Sequence, residues 1–301
     1  MNESSSEKGF AELPPTHQDQ YRRIMHELMA FAQGHTIPIC FAPPLVTAAV
    51  PLKGCAIASV TLPATLGTIN GASGCVLELE SGFFLVTAEH NLGTYEDRVK
   101  KGERLNWQIG KLSPIDPLCR IAWRDKTEAA ARSLMPYRPA DIILLRLSEE
   151  EAQQACGDTR VVPVPMEWPP AALSIGQLVV LAGYPNQLGA VDLQGTMNRE
   201  ACALAFQVTT IGDGYCKCQF SYGDLIDFGR GLRSPDFGTV NLGGMSGCPV
   251  FVLTSSRSCV ELQYPRLTGV FIERWGADPT GDIIEIATFE NVHESDFART
   301  A

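Results

Sequence analysis

The chain has 301 residues, of which 45% are hydrophobic and 19% charged, enough to bury one large core or two small ones. Its net charge of -10 and pI near 5.0 argue against nucleic acid or an anionic membrane as the main partner, since both select basic surfaces. No apolar run reaches the roughly eighteen residues of a membrane span, and the opening "MNESSSEKGFAELPP" lacks the basic and apolar regions of a secretory signal.

Residues 1–15 are polar and proline-ended, and are expected to be mobile. "THQDQYRRIMHELMAFAQG" then reads as a helix: Thr16 is placed to cap it and Gly34 to end it. Tyr21, Ile24, Met25, Leu28 and Met29 share one face, which should dock on the body of the protein or on a partner. From about residue 55 the pattern changes to short apolar or alternating runs separated by glycine, proline or polar turns. "GCVLELESGFFLVTAEH" predicts a hairpin, with strands at 75–80 and 83–88 around a Ser81-Gly82 turn. Further strands are predicted at 104–111, 119–123, 141–147, 177–182, 203–210, 216–221, 249–253, 267–272 and 283–288. Two helical interruptions are predicted, an alanine-rich one at 125–135 and one opening on the capping box of Ser148 and Glu151. "VVPVPMEWPPAALSIG" reads as a proline-rich connection between two strand-rich halves. The expected organisation is a mobile 1–15, a helix and connection over 16–54, and strand-rich units over 55–165 and 166–301.

Ten cysteines lie at 40, 55, 75, 119, 156, 202, 216, 218, 248 and 259, mostly alone among apolar residues. Cys216 and Cys218 lack the C-x-x-C spacing of a zinc ribbon and fall on one face of any strand, so buried free thiols and a cytoplasmic location are expected.

Three residues carry the chemistry. In "GGMSGCPVF" three glycines and a proline surround Ser246, a spelling that fits an ordinary tight turn as well as a nucleophile loop. His90 ends the apolar strand "FFLVTAEH", where a rigid scaffold can hold an imidazole at a rim, although a lone histidine there is commonly just a surface residue. Asp141 opens "DIILLRL" at the mouth of a buried strand, a position that also suits a turn hydrogen bond. Together they have a stronger reading. A serine hydroxyl is a weak nucleophile without a base within hydrogen-bond reach, and that base needs a third group to fix its tautomer. His90 and Asp141 fall in one strand-rich half and Ser246 in the other, so an interface between the halves would unite them. The amides of Gly244 and Ser246 would then converge on a developing oxyanion.

These blocks resemble the trypsin-like, chymotrypsin-fold serine peptidases: "VTAEH" is similar to the family's block around its base, "DIILLRL" to its acid-bearing strand, and "GGMSGCPVF" to its nucleophile loop. "GQLVVLAGYP" at 176–185 resembles a strand of the bacterial members, and "TGVFIERWG" at 268–276 the strand lining the cleft. The resemblance spans about residues 55–290. It implies an all-β fold of two packed six-stranded antiparallel β-barrels, with the added N-terminal helix and short helical insertions, and the site between the barrels. It implies Ser246 as nucleophile, His90 as base, Asp141 as orienting acid, peptide-bond hydrolysis through an acyl-enzyme, and no cofactor or metal. Val240, six residues before the serine, would floor the specificity pocket and disfavour a basic side chain, unless Asp236, Glu273 or Asp282 brings a charge there. The backbone of Ile272, Glu273 and Arg274 would pair with an extended substrate.

The departures are informative. Met245 stands where digestive members carry the aspartate that pairs with a newly cut N-terminus, and no I-V-G-G-like start is present, so activation by that ion pair is not expected. Asn91 replaces the cysteine that follows the base in secreted members, and Cys248 replaces the second glycine after the serine. That same Cys248 excludes the nucleophile elbow of an α/β-hydrolase, and no H-E-x-x-H supports a metal hydrolase. The expected function is a serine endopeptidase acting on a restricted set of protein or peptide substrates. The alternative is a latent or inactive trypsin-like barrel serving as a protein-binding module, with the N-terminal helix as the contact for a regulatory partner.

Overall fold

Apolar runs without alternation, such as Ile142–Leu147, arise where a strand is covered on both faces, and this protein does so by packing two antiparallel sheets against each other. The computed structural model describes residues 23, 27–42, 46–50, 58–62, 70–112, 114–124, 141–157, 162–163, 173–185, 189–191, 197–199, 201–220, 242–252, 265–278 and 281–293. The first half contains β1 (Ile37–Ala42), β2 (Val46–Val50), β3 (Ala58–Leu62), β4 (Asn70–Leu79), β5 (Gly82–Ala88), β6 (Asn106–Ile109), β7 (Ile121–Arg124), β8 (Ile142–Leu147) and β9 (Val162–Pro163). The second contains β10 (Leu178–Gly183), β11 (Gly189–Val191), β12 (Met197–Arg199), β13 (Cys202–Gly212), β14 (Tyr215–Phe220), β15 (Pro249–Val252), β16 (Arg266–Asp278) and β17 (Gly281–Thr288). Among the described residues three α-helices accompany them: α1 (27–34), α2 (Glu89–Lys100) and α3 (Glu149–Cys156).

The first sheet runs in the order β6-β1-β4-β5-β8-β7, an open half-barrel whose β4 also pairs in parallel with the short β9. The second closes as a six-stranded barrel, β10-β13-β14-β17-β16-β15. Both six-stranded antiparallel sheets of the expected chymotrypsin-like fold are therefore present. The first reaches upstream of residue 55, because β1 pairs with β4 on one side and β6 on the other. The hairpins β2-β3 and β11-β12 stand as separate two-stranded ribbons.

Period-two alternation distributes the core. Ile143 and Leu145 face the half-barrel interior with Ile37, Ile39, Leu85 and Trp107, while Ile142 and Leu144 face the junction between the sheets. Across the junction Val180 and Ala182 meet them, and Val179 and Leu181 turn into the closed barrel with Phe206, Val250 and Ile284. Cys216 and Cys218 share one buried face of β14, as their spacing predicts. Six of the eight described cysteines are buried, and all eight are free thiols. Burial pushes the Cys156 thiol up to about 11 and raises those of Cys75 and Cys248 well above the usual range, so all three stay protonated.

The N-terminal helix docks within its own chain. Leu28, Met29 and Ala32 are buried in the junction core, and the Phe31 ring meets Phe251 edge-on at 5.3 Å. Behind it, Thr36 Oγ1 donates to the Ala182 carbonyl at 3.0 Å, and Tyr184 donates through its hydroxyl to the Thr36 carbonyl at 3.2 Å. The helix predicted at 125–135, the proline-rich stretch apart from 162–163 and its last residues, and Tyr21, Ile24 and Met25 lie outside the described residues. The β4-β5 turn is Glu80-Ser81, one residue earlier than expected, with Gly82 opening β5 opposite Leu79.

Candidate active site

The last residue of β5, Ala88, leads directly into α2, and its side chain offers no hydrogen bond to the exposed N–H groups of the first turn. Such groups need acceptors. Asp141, the residue before β8, supplies them from the neighbouring strand: its carbonyl accepts the Glu89 N–H at 3.1 Å, and its Oδ1 accepts the His90 N–H at 2.8 Å. The second carboxylate oxygen, Oδ2, lies 2.5 Å from His90 Nδ1. The helix N-terminus and its amides favour the ionised carboxylate. An ionised carboxylate only accepts, so Nδ1 carries the proton and Nε2 is left as an acceptor. Ser246 Oγ stands 2.5 Å from that Nε2. The structure thus brings Ser246, His90 and Asp141 into one hydrogen-bonded chain across the two sheets. A hydroxyl in this setting can pass its proton to the imidazole as it attacks an electrophile.

Helix α2 is held by a further ion cluster. Arg124 of β7 donates to Glu89 Oε1 at 3.0 and 2.6 Å and to the two Glu96 oxygens at 2.9 Å each. Hydrogen bonding to Arg124 holds the Glu96 carboxyl below its usual range and raises Arg124 well above its own. Tyr95 packs edge-on against Trp107, which stacks on Phe41, so the same helix is also anchored in the half-barrel core.

Ser246 sits in a loop whose peptides alternate in role. The N–H groups of Met245, Gly247 and Cys248 donate to the carbonyls of Leu242, Phe271 and Met245 at 2.9, 2.7 and 2.9 Å. Those of Gly244 and Ser246 have no acceptor among the described residues. Gly244 is buried and Ser246 partly so, and their two amides lie on either side of the Gly244–Met245 peptide. This is the donor pair expected of an oxyanion site. Ser246 Oγ also lies 3.3 Å from the Ile272 carbonyl, which places the serine at β16.

Of the expected substrate-binding residues, Ile272 is buried beside the serine. Glu273 and Arg274 pair through their backbones with Glu285 and Ile284 of β17. Their side chains, like those of Asp236 and Asp282 and all of Val240, lie outside the described residues. The β15 register against β16 ends at Pro249 opposite Val270, so beyond that point the other edge of β16 has no partner among the described strands. No group of three or more His, Cys, Asp or Glu side chains among the described residues is placed to hold a metal ion.

Sequence reasoning passed over three contributors. Ser73 of β4 donates its N–H to the Ser246 carbonyl at 3.0 Å and its hydroxyl to the Gly244 carbonyl at 2.8 Å. Thr87 donates its hydroxyl to the Ser73 carbonyl at 2.7 Å, and Asn91 donates to Thr87 Oγ1 and to the Ser246 carbonyl, both at 3.2 Å. The only local signal was a small polar residue heading the apolar strand after "GA". Asn91 thereby ties the histidine helix to the serine loop.

No family model matches the chain, and no curated protein matches it. Among solved structures the chain is similar to a thermostable serine protease from an extremophilic microorganism, at 13% identity and a TM-score of 0.42 over 89% of this chain and 97% of that one. It is also similar to human heparin binding protein, at 12% identity and a TM-score of 0.42 over 88% of this chain and 90% of that one.

Proposed function

We propose that the protein is a trypsin-like serine endopeptidase. The observation that carries this reading is the continuous chain from Ser246 Oγ through His90 to Asp141, beside two amide donors without acceptors among the described residues. Ser246 Oγ attacks the scissile carbonyl carbon while its proton passes to His90 Nε2, and Asp141 stabilises the imidazolium that forms. The carbonyl oxygen, now an anion, accepts the N–H groups of Gly244 and Ser246; removing one such donor typically costs about 10²–10³ in kcat. Collapse of the tetrahedral adduct expels the amine, which takes the proton from His90 and leaves an acyl ester on Ser246. Water then repeats the sequence, releasing the acid and restoring the hydroxyl. The chemistry uses no cofactor.

The edge of β16 that has no partner among the described strands supports the binding of an extended peptide along Ile272, Glu273 and Arg274 as an added strand, and the reading assigns Val240 to the specificity pocket. A restricted set of protein substrates is the reading. The free thiols support a cytoplasmic setting. A regulatory partner at the N-terminal helix would use its outward face, Arg23, Glu27 and Ala30, since Leu28, Met29 and Ala32 are buried.

The test is a fluorophosphonate probe applied to the purified protein, with the adduct located by mass spectrometry. Modification at Ser246 that disappears in Ser246→Ala and falls sharply in His90→Ala is the expected outcome. A folded protein that stays unmodified would sink the peptidase reading in favour of a barrel that only binds.

A further inference from the structure

Ser73 is fully buried, and each of its backbone and hydroxyl polar groups is committed. Besides its bonds to Gly244, Ser246 and Thr87, its Oγ accepts the Tyr184 N–H at 2.9 Å, just past the end of β10. The hydroxyl therefore has its donor and acceptor roles both fixed, and it has one orientation only. A single residue of the half-barrel so grips two separate points of the closed barrel.

The points it grips matter because of how the loop is built. Peptide 244–245 is held at both ends, by Ser73 Oγ on its carbonyl and by Leu242 on its N–H. Peptide 246–247 is likewise held, by the Ser73 N–H and Asn91 on its carbonyl and by Phe271 on its N–H. The N–H groups of Gly244 and Ser246, which have no acceptor among the described residues, belong to the peptides on either side of peptide 244–245. The direction in which each points depends on that peptide staying where it is. Gly244 has φ +95 and follows another glycine, so the chain resists a rotation there weakly, and sterics alone do not select the convergent form.

The geometry points to Ser73 as a positioning residue: its hydroxyl locks peptide 244–245 and thereby sets the amide pair that receives the oxyanion. The inference rests on the peptidase reading for its catalytic consequence, and on the loop geometry alone for the placement of the amides. Ser73 touches no reacting atom. Displacing a transition-state contact by about an ångström typically costs about 10²-fold in rate, and the loss falls on kcat when the contact forms only in the transition state.

The test compares wild type with Ser73→Ala and with Ser73→Cys, which has the same shape with a somewhat larger terminal atom but offers only a weak donor. Rates are divided by the amount of Ser246 that the fluorophosphonate finally labels, so that an unfolded fraction does not count. The expected result for Ser73→Ala is a normalised kcat lower by about tenfold to a hundredfold, with KM within about twofold and the acid limb of the kcat/KM profile unmoved. Affinity for a peptide boronic acid, whose tetrahedral adduct places an oxygen on the same amides, falls by a similar factor. Ser73→Cys stays impaired if the hydrogen bond is what matters. A Ser73→Cys rate equal to wild type, or a Ser73→Ala normalised kcat within about twofold of it, would overturn the inference by reducing Ser73 to packing. The second readout is independent of turnover: in 15N-labelled protein the Gly244 and Ser246 amide resonances shift or broaden in Ser73→Ala. Superimposable resonances would also overturn it. A wild type that the probe never labels tells against the peptidase reading, and the amide resonances then decide the placement of the loop by themselves.

Discussion

Asp141 grips His90 twice, with one carboxylate oxygen on the backbone N–H at 2.8 Å and the other on the ring Nδ1 at 2.5 Å. The same group caps the helix that carries the histidine and sets the tautomer of the histidine itself. The ring and its backbone are therefore fixed relative to one carboxylate, which is what holds Nε2 opposite Ser246.

This double grip makes Asp141→Asn informative. The amide oxygen can still accept the His90 N–H, so the helix cap and the fold persist, with the midpoint of thermal unfolding within a few degrees of wild type. The amide N–H₂ facing Nδ1, however, forces that nitrogen to accept, and the proton moves to Nε2. In a known enzyme of this chemistry the corresponding change lowers kcat about 10⁴-fold, and a loss of that order is expected here in the rate of Ser246 labelling. Labelling at the wild-type rate would show that Asp141 serves the helix alone.

Gly247→Ala tests the contact between the sheets. Gly247 has φ +86, and a Cβ there would fall on Thr87 Oγ1 and stand 2.5 Å from the Ser73 carbonyl oxygen. Left-handed strain of about 1–2 kcal/mol adds to an overpacking cost of about 1–3 kcal/mol. Gly102 has almost the same φ, +87, with nothing within 4 Å of its added Cβ. Gly102→Ala should therefore show only the first contribution in urea unfolding, and the difference between the two variants measures the crowding at the junction.

The Arg124 cluster gives a pH dependence of definite sign. The Glu96 carboxyl is held below its usual 4.5 by the hydrogen bond to Arg124, so its contribution is complete above that value and is lost as pH falls through the lower folded-state value. Glu96→Gln should lower unfolding free energy by about 1 kcal/mol at pH 7, and the gap between variant and wild type should narrow as the pH is taken below 4.5. A gap that is constant from neutral to acid pH would mean that the ion pair contributes nothing to stability.

The N-terminal helix is a load on the core rather than a detachable arm. Met29 is fully buried in the junction cluster, and Met29→Ala should cost about 2–5 kcal/mol. Ala30→Ser, one residue along on the exposed face, should change stability by less than about 0.5 kcal/mol. Similar small effects from both would mean that the helix is weakly attached.

Local pattern along the chain set much of the architecture. Every strand proposed between 75 and 288 has a counterpart in β4–β8, β10 or β13–β17, because each alternates or runs apolar between turn residues, and Ser148 with Glu151 caps α3 from within its own segment. The candidate site residues were legible as well, since His90 follows β5 within two residues, Asp141 immediately precedes β8 and Ser246 lies in the loop that leads into β15. Other features were decided only by the tertiary structure. Helix α2 carries Gly93 in its middle and no capping side chain of its own, so nothing in "EHNLGTYEDRVK" announces it; its cap is a carboxylate 51 residues downstream. Strand β1 contains Pro38, which breaks the local signal, and it exists because β4 and β6 pair with it on both sides. Ser73 reads as one more small residue until folding sets it against Gly244 and Ser246, 171 and 173 positions away. Its role belongs to a hydrogen bond between distant segments, and such bonds have no local signature.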